Sequence, residues 1–219
     1  MGINRFIEHT NLSPTLIAQD IDELVSEANS NKFIGVCVPP FWVKRAAREI
    51  GGSDIQLVTV IGFPLGYQMT ESKLAEIEKA IDDGANELDI VLNISAFKSK
   101  MPWVKIELAK CAKLIHEAGC IMKVIIETAY LNEAEIIIAS KMCADAGSDF
   151  VKTSTGFATA GAKIEDIKIM RANLPSNVGI KASGGIRNLE TVQAMIDAGA
   201  DRIGASAGVK IMLEANGAS

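Results

Sequence analysis

Four segments of this chain repeat one pattern: DDGANELDIVLN, EAGCIMKVIIET, DAGSDFVKTSTG and DAGADRIGASAG. Each has an acid, a small residue and a glycine closing a helical stretch, followed by an apolar strand that stops at polar residues. Four copies imply four equivalent βα units. Hydrophobic period adds further β-rich runs at Ile34 to Val38 and Leu57 to Gly62. The opening RFIEHT completes eight strand candidates with those at 87–93, 122–128, 149–154, 178–183 and 201–206. Helical patterns lie between them. In TESKLAEIEKAIDDG, Thr70 suits an N-cap, Glu71 the first turn and Gly84 the stop.

Strands that alternate with helices pair in parallel through right-handed crossovers, and eight of them in 219 residues close most naturally into a (β/α)8 TIM barrel. The expectation is a single domain over residues 1–219, with no linker or charge run to divide it. An open doubly wound sheet is the alternative. It normally advertises itself by GxGxxG or a Walker lysine motif, and neither is present.

A hydrophobic content of 48% supports a full core, and a net charge of -5 argues against nucleic acid or an anionic membrane as partner. The ligand is therefore expected to be a small molecule. No apolar run approaches a membrane span and the first residues lack a signal-peptide core, so the expected location is the cytoplasm. Cys37, Cys111, Cys120 and Cys143 form no CxxC pair. With only His9 and His116 beside them, neither a metal nor another cofactor is expected.

In a barrel of this kind the active site lies at the C-terminal ends of the strands. The polar residues there are Glu8, His9, Thr10, Cys37, Asp89, Asn93, Lys123, Glu127, Lys152, Ser154, Lys181, Ser183 and Ser206. Lys123, Lys152 and Lys181 recur every 29 residues, so they should occupy comparable places in three consecutive units. A lysine beneath the covering helices would be desolvated without a partner, so all three should face the interior, with Asp89 as counter-charge. Two unit charges about 5 Å apart at an effective dielectric near 20 repel by roughly 3 kcal/mol, about two pKa units. Crowded cations can thus free one amine for nucleophilic attack. A purely structural ion lattice is the competing reading, and three lysines against one evident acid leave it over-supplied with positive charge.

Glycine-rich strand ends supply a second feature. SGGIR (183–187) and RIGASAG (202–208) each end a strand and open a helix, where backbone amides can seat an anion. The turn at Thr155 and Gly156 points to the same place. These observations reach as far as a lysine-dependent barrel enzyme acting on a phosphate ester.

VKTSTGF, KASGGIR, RIGASAGVKI, TVIGFPLG, ELDIVLNI and KVIIETAYL together resemble the DeoC family of deoxyribose-phosphate aldolases, and the likeness runs from IEHT to the C-terminus. The resemblance implies a metal-independent class I aldolase on a (β/α)8 barrel. Such an enzyme interconverts 2-deoxy-D-ribose 5-phosphate with acetaldehyde and D-glyceraldehyde 3-phosphate. It further implies that Lys152 forms the Schiff base, that Asp89 and Lys181 move protons, and that Lys123 completes the charge network. Gly156, Gly184, Gly185, Gly204 and Ser206 correspond to the phosphate-binding positions, with Thr10, Cys37 and Thr155 as further substrate contacts. The expected partners are a phosphorylated sugar and aldehydes, and the expected assembly is a homo-oligomer, dimer or tetramer.

The sequence also departs from the family pattern. Glu8 and Ser13 stand in IEHTNLSPT where IDHTLLKP is commoner, and GYQMT replaces a smaller-residue loop. Phe157 follows the TSTG turn where some members have lysine, and EANGAS lacks a terminal tyrosine. Backbone amides and other cations must then carry more of the phosphate. Two other readings stay open: a Schiff-base aldolase of different aldehyde specificity, and a phosphometabolite-binding barrel without chemistry. Cys37 is a candidate site of aldehyde damage.

Overall fold

A strand covered on both faces must be apolar along most of its length. The strands here are β1 (Ile7–Thr10), β2 (Gly35–Val38), β3 (Gln56–Ile61), β4 (Glu87–Val91), β5 (Ile121–Ile125), β6 (Phe150–Lys152), β7 (Gly179–Ser183) and β8 (Arg202–Ala205), and nearly all their residues are buried. In the computed structural model, which describes residues 2–217, they pair in parallel and in sequence order, and β8 pairs back onto β1. The barrel is closed, which excludes the open sheet. Ala218 and Ser219, the end of the EANGAS tail, lie outside the described residues.

Helices α1 (Ala18–Asn31), α2 (Val43–Ile50), α3 (Thr70–Asp82), α4 (Ile94–Lys98), α5 (Trp103–Glu117), α6 (Glu133–Asp145), α7 (Ile164–Asn173), α8 (Leu189–Asp197) and α9 (Gly208–Ala215) fill the crossovers. They bury one stripe each against the strands, as with Ile21, Leu24, Val25 and Ala28 of α1. The glycines of the repeat explain themselves here. Gly84, Gly119, Gly147 and Gly199 have φ of +108°, +72°, +95° and +112°, the left-handed turn by which helix gives way to strand.

Two local expectations change. Residues 3–6 form a 3-10 turn that takes the first two residues of RFIEHT, so β1 begins only at Ile7. Thr70 is the first residue of α3 and not its cap, which is Met69; the Thr70 hydroxyl donates instead to Glu107 Oε2 on α5 at 2.9 Å. A tertiary partner has taken the group that local rules assigned to capping.

That bond belongs to a buried cluster outside the barrel. Lys73, fully buried on α3, donates to Glu107 Oε1 at 2.6 Å and to the Val91 carbonyl at the end of β4 at 2.9 Å. The pair therefore ties two helices to the strand that carries Asp89. Removing one member of a buried ion pair strands the other, at a cost of about 3 kcal/mol. Lys73→Met should lower unfolding stability by about that amount in urea titrations, and Lys73→Met combined with Glu107→Leu should recover most of the loss.

Candidate active site

Strand register decides where the lysines meet. Lys152 lies beside Lys181, but Lys123 pairs with Phe150 and Asp89, two residues nearer the N-terminal end of the barrel. The equal sequence spacing therefore does not give equal depth, because the strands of a closed barrel are staggered. All three side chains do point inward. Lys152 Nζ reaches Asp89 Oδ2 at 2.7 Å, Lys181 Nζ reaches the same oxygen at 2.8 Å, and Lys123 Nζ lies 3.2 Å from Oδ1.

The surplus of positive charge is smaller than three lysines against one acid, because two further carboxylates join the cluster. Glu8 pairs with Lys181 and lies 3.6 Å from Lys123, while Glu87 pairs with Lys123 and approaches Arg202 Nη2 at 3.6 Å. Three carboxylates thus face three lysines and an arginine. What distinguishes the lysines is how many acids each one touches: three for Lys123, two for Lys181 and one for Lys152. Glu87 was legible in principle, since it stands two residues before Asp89 on one strand and so shares its face.

For Glu8, Asp89, Lys123 and Lys181 burial works against the charge, and the partners outweigh it. For Asp89, desolvation would raise the pKa, but Lys123, Lys152 and Lys181 hold the carboxyl well below its ordinary value. Glu8 is likewise lowered, against burial, by Lys123 and Lys181. Lys181 and Lys123 are raised above the ordinary lysine value despite desolvation, in both cases by Asp89 and Glu8, with Glu87 adding to Lys123. Lys181 therefore stays an ammonium, its charge held beside Lys152 by a shared carboxylate oxygen.

Above Lys152 the barrel mouth opens into a cavity of about 340 Å³. Lys152, Thr10, Thr155 and Gly156 line one part of it; Gly184, Gly185, Gly204 and Ser206 line another. Gly184 has φ +88°, and a Cβ there would come within 2.9 Å of the Gly161 Cα, so only glycine lets the loop 157–163 fold against it. That loop is pinned by the Ala162 amide, which donates to the carbonyls of Ser183 and Gly184. Ser183 Oγ donates to the Ser154 carbonyl at 2.6 Å, joining the ends of β6 and β7. The α9 helix starts two residues beyond Ser206, so its positive end faces the same region. Arg187 also lines the cavity, a cation the sequence offered in SGGIR and that meets the need left by Phe157.

Other candidates fall elsewhere. Cys37 does not line the mouth; it packs inside the barrel with Val58 and Val60, and burial pushes its thiol up to about 11. Little thiolate exists there at neutral pH, so its surroundings do not favour the expected aldehyde damage. His9 faces away, its ring tilted against that of Phe33 and bonded to Glu27 at 2.6 Å. Asn93 caps α4 by accepting from the Ala96 amide. Among the described residues no group of three or more His, Cys, Asp or Glu is placed to hold a metal ion.

Residues 5–214 match the DeoC/LacD family aldolase profile. The chain is 49% identical over 213 residues to deoxyribose-phosphate aldolase of Brevibacillus brevis, covering 97% of this chain and 96% of that one. It is 48% identical to the Thermococcus gammatolerans enzyme of the same name, at 97% and 96% coverage. Among solved structures it superposes on QR15, an aldolase, with a TM-score of 0.93 at 42% identity, covering 98% of this chain and 96% of that one. It also superposes on the tetrameric deoxyribose phosphate aldolase of Aeropyrum pernix with a TM-score of 0.91 at 32% identity, covering 98% and 91%.

A carboxyl depressed in the folded state contributes stability above its unfolded pKa, and that contribution is lost as pH falls through the folded value. For Asp89 the loss therefore begins near its ordinary 3.8 and continues below it. Urea unfolding of the parent should weaken as pH is lowered from about 5 through 3. Asp89→Asn should start less stable at pH 7 and show a shallower decline over the same range.

Proposed function

The chain belongs to the DeoC/LacD family of aldolases, and we propose that it reversibly cleaves 2-deoxy-D-ribose 5-phosphate to acetaldehyde and D-glyceraldehyde 3-phosphate through a Schiff base on Lys152. The observation that carries this reading is the single carboxylate oxygen of Asp89 shared by Lys152 and Lys181, directly beneath a cavity ringed by glycine loops.

The chemistry follows from what each group can do. Lys152 alone of the three lysines lines the cavity, and it meets one carboxylate where Lys181 meets two and Lys123 three. The Lys152 amine attacks C1 of the open-chain sugar, and loss of water leaves an iminium. The iminium draws the electrons of the C2–C3 bond, because C1 and C2 must leave together as the two carbons of acetaldehyde. The proton of the C3 hydroxyl passes to Asp89, through a water, as C3 becomes the aldehyde of glyceraldehyde 3-phosphate. C2 of the resulting enamine then takes a proton supplied by the Asp89 and Lys181 pair, and water hydrolyses the iminium to release acetaldehyde and the free amine. Lys123, one layer deeper, keeps the Asp89 carboxylate ionised and oriented.

The phosphate sits on the amides around Gly156, Gly184, Gly185, Gly204 and Ser206 at the start of α9, with Arg187 as counter-charge and Thr10 and Thr155 at the rim. No step needs a metal or an organic cofactor. Residues 1–219 act as one catalytic domain, a homo-oligomer in the cytoplasm; among the described residues no helix is long and apolar enough to cross a membrane.

Borohydride reduction with acetaldehyde, followed by peptide mapping, should place one stable adduct on Lys152. Lys152→Met should form none and lose about a thousandfold or more in turnover. An adduct on Lys123 or Lys181, or products other than the two named aldehydes from the phosphorylated sugar, would sink the assignment.

A further inference from the structure

Three non-glycine residues among those described have positive φ, Lys32, Lys100 and Glu127, and of these Glu127 is the buried one. It follows β5 with φ +49° and ψ +72°, a left-handed conformation that a residue with a side chain adopts at a cost, and it is 2% exposed. A buried carboxylate in strained backbone must be held by something. Its Oε2 accepts from the Thr155 amide at 3.1 Å and from the Thr155 hydroxyl. Thr155 Oγ1 in turn accepts from the Phe157 amide at 3.1 Å. One carboxylate thus organises the whole Thr155–Phe157 turn, whose Thr155 and Gly156 form a wall of the mouth cavity. No ion pair links Glu127 to the Asp89 cluster among the described residues.

We propose that Glu127 is a positioning residue for the anion seat: it fixes the Thr155–Phe157 turn so that the Gly156 backbone meets the phosphate, and leaves the amine chemistry of Lys152 alone. This rests on the function proposed above. The main-chain path explains the arrangement. The Thr128 amide donates to the Thr153 carbonyl at 2.9 Å, so the segment after β5 runs beside the end of β6. The left-handed turn at Glu127 sends its side chain along that segment to Thr155. Without the carboxylate, the Thr155 amide and hydroxyl would be buried with no acceptor, and the turn would have to open toward water to satisfy them. A seat built from backbone amides depends on the placement of those amides more than on the presence of any one side chain.

The test separates the phosphate end of the substrate from the carbonyl end. Glu127→Ala and the same-sized Glu127→Gln would be compared with the parent in four measurements. These are KM and kcat for 2-deoxyribose 5-phosphate, kcat/KM for unphosphorylated 2-deoxyribose, the affinity for inorganic phosphate by calorimetry, and borohydride trapping with acetaldehyde. The expected result for Glu127→Ala is about a tenfold rise in KM for the phosphorylated sugar and a matching loss of phosphate affinity. Its kcat, its activity on 2-deoxyribose and its trapping at Lys152 should stay within about twofold of the parent. Glu127→Gln keeps one acceptor and should fall between the two. If Glu127→Ala does not fold, Glu127→Gln carries the decision through the same split. Equal losses on phosphorylated and unphosphorylated sugars, or unchanged phosphate affinity, would overturn the positioning role while leaving the aldolase reading intact. A parent that neither binds phosphate nor cleaves the phosphorylated sugar would overturn both.

Discussion

The arrangement at the barrel mouth depends on one oxygen, Oδ2 of Asp89, which receives a hydrogen bond from Lys152 and another from Lys181. In a site buried on all sides, two ammonium groups so close would repel strongly if nothing stood between them. The shared carboxylate makes the pairing tolerable, Lys123 sets a third cation beside that carboxylate, and Glu8 offsets the charge of Lys181 and Lys123. Each member is affordable only because of the others. Such a lattice has a graded character, since the number of opposing charges falls from the floor of the barrel toward the mouth, and the least neutralised amine is the one that meets the cavity.

The barrel interior is divided to match. Cys37, Val58 and Val60, with Leu12 and Phe63 packed on them, make an apolar side contributed by β2 and β3. The charged side comes from β1 and from β4 to β8. Apolar packing on one side keeps the dielectric low for ions on the other, which strengthens their attraction to one another and raises the cost of leaving any unpaired. Outside, the Lys73 and Glu107 pair holds the end of β4 through the Val91 carbonyl, so the strand bearing Asp89 is anchored from behind as well as from within.

Much of this was legible in the residues. The fourfold repeat gave the βα order, and strand parity put Asp89 and the three lysines inside, because the apolar residues around them in the sequence offer a strand ammonium no partner under the helices. The glycine loops announced the cavity, seven of whose eight anticipated substrate contacts line it, with Cys37 the exception. What the chain could not disclose locally was relative depth. Lys123 sits a layer below Lys152 because closure staggers the strands, and stagger is a property of the ring and not of any one segment. Glu87 escaped notice beside Asp89 although their spacing puts them on one face. Thr70 followed a tertiary acceptor over its capping tendency. The reach of Glu127 to Thr155 joins two loops 28 residues apart and had no local signature at all.

The seam between β1 and β8 carries a consequence for how the protein comes into being. Glu8 and Lys181 are separated by 173 positions along the chain yet form a direct ion pair, and β1 has no second neighbour until residues 202–205 arrive. During synthesis the first strand leaves the ribosome long before its far neighbour exists, and the Asp89 lattice lacks two of its members until the last quarter of the chain docks. Chemical competence is therefore acquired in one late step. A nascent or clipped chain that stops short of β7 lacks Lys181 and Arg202, so Asp89 loses the second ammonium that shares its oxygen with Lys152, and Glu8 loses its nearest cation.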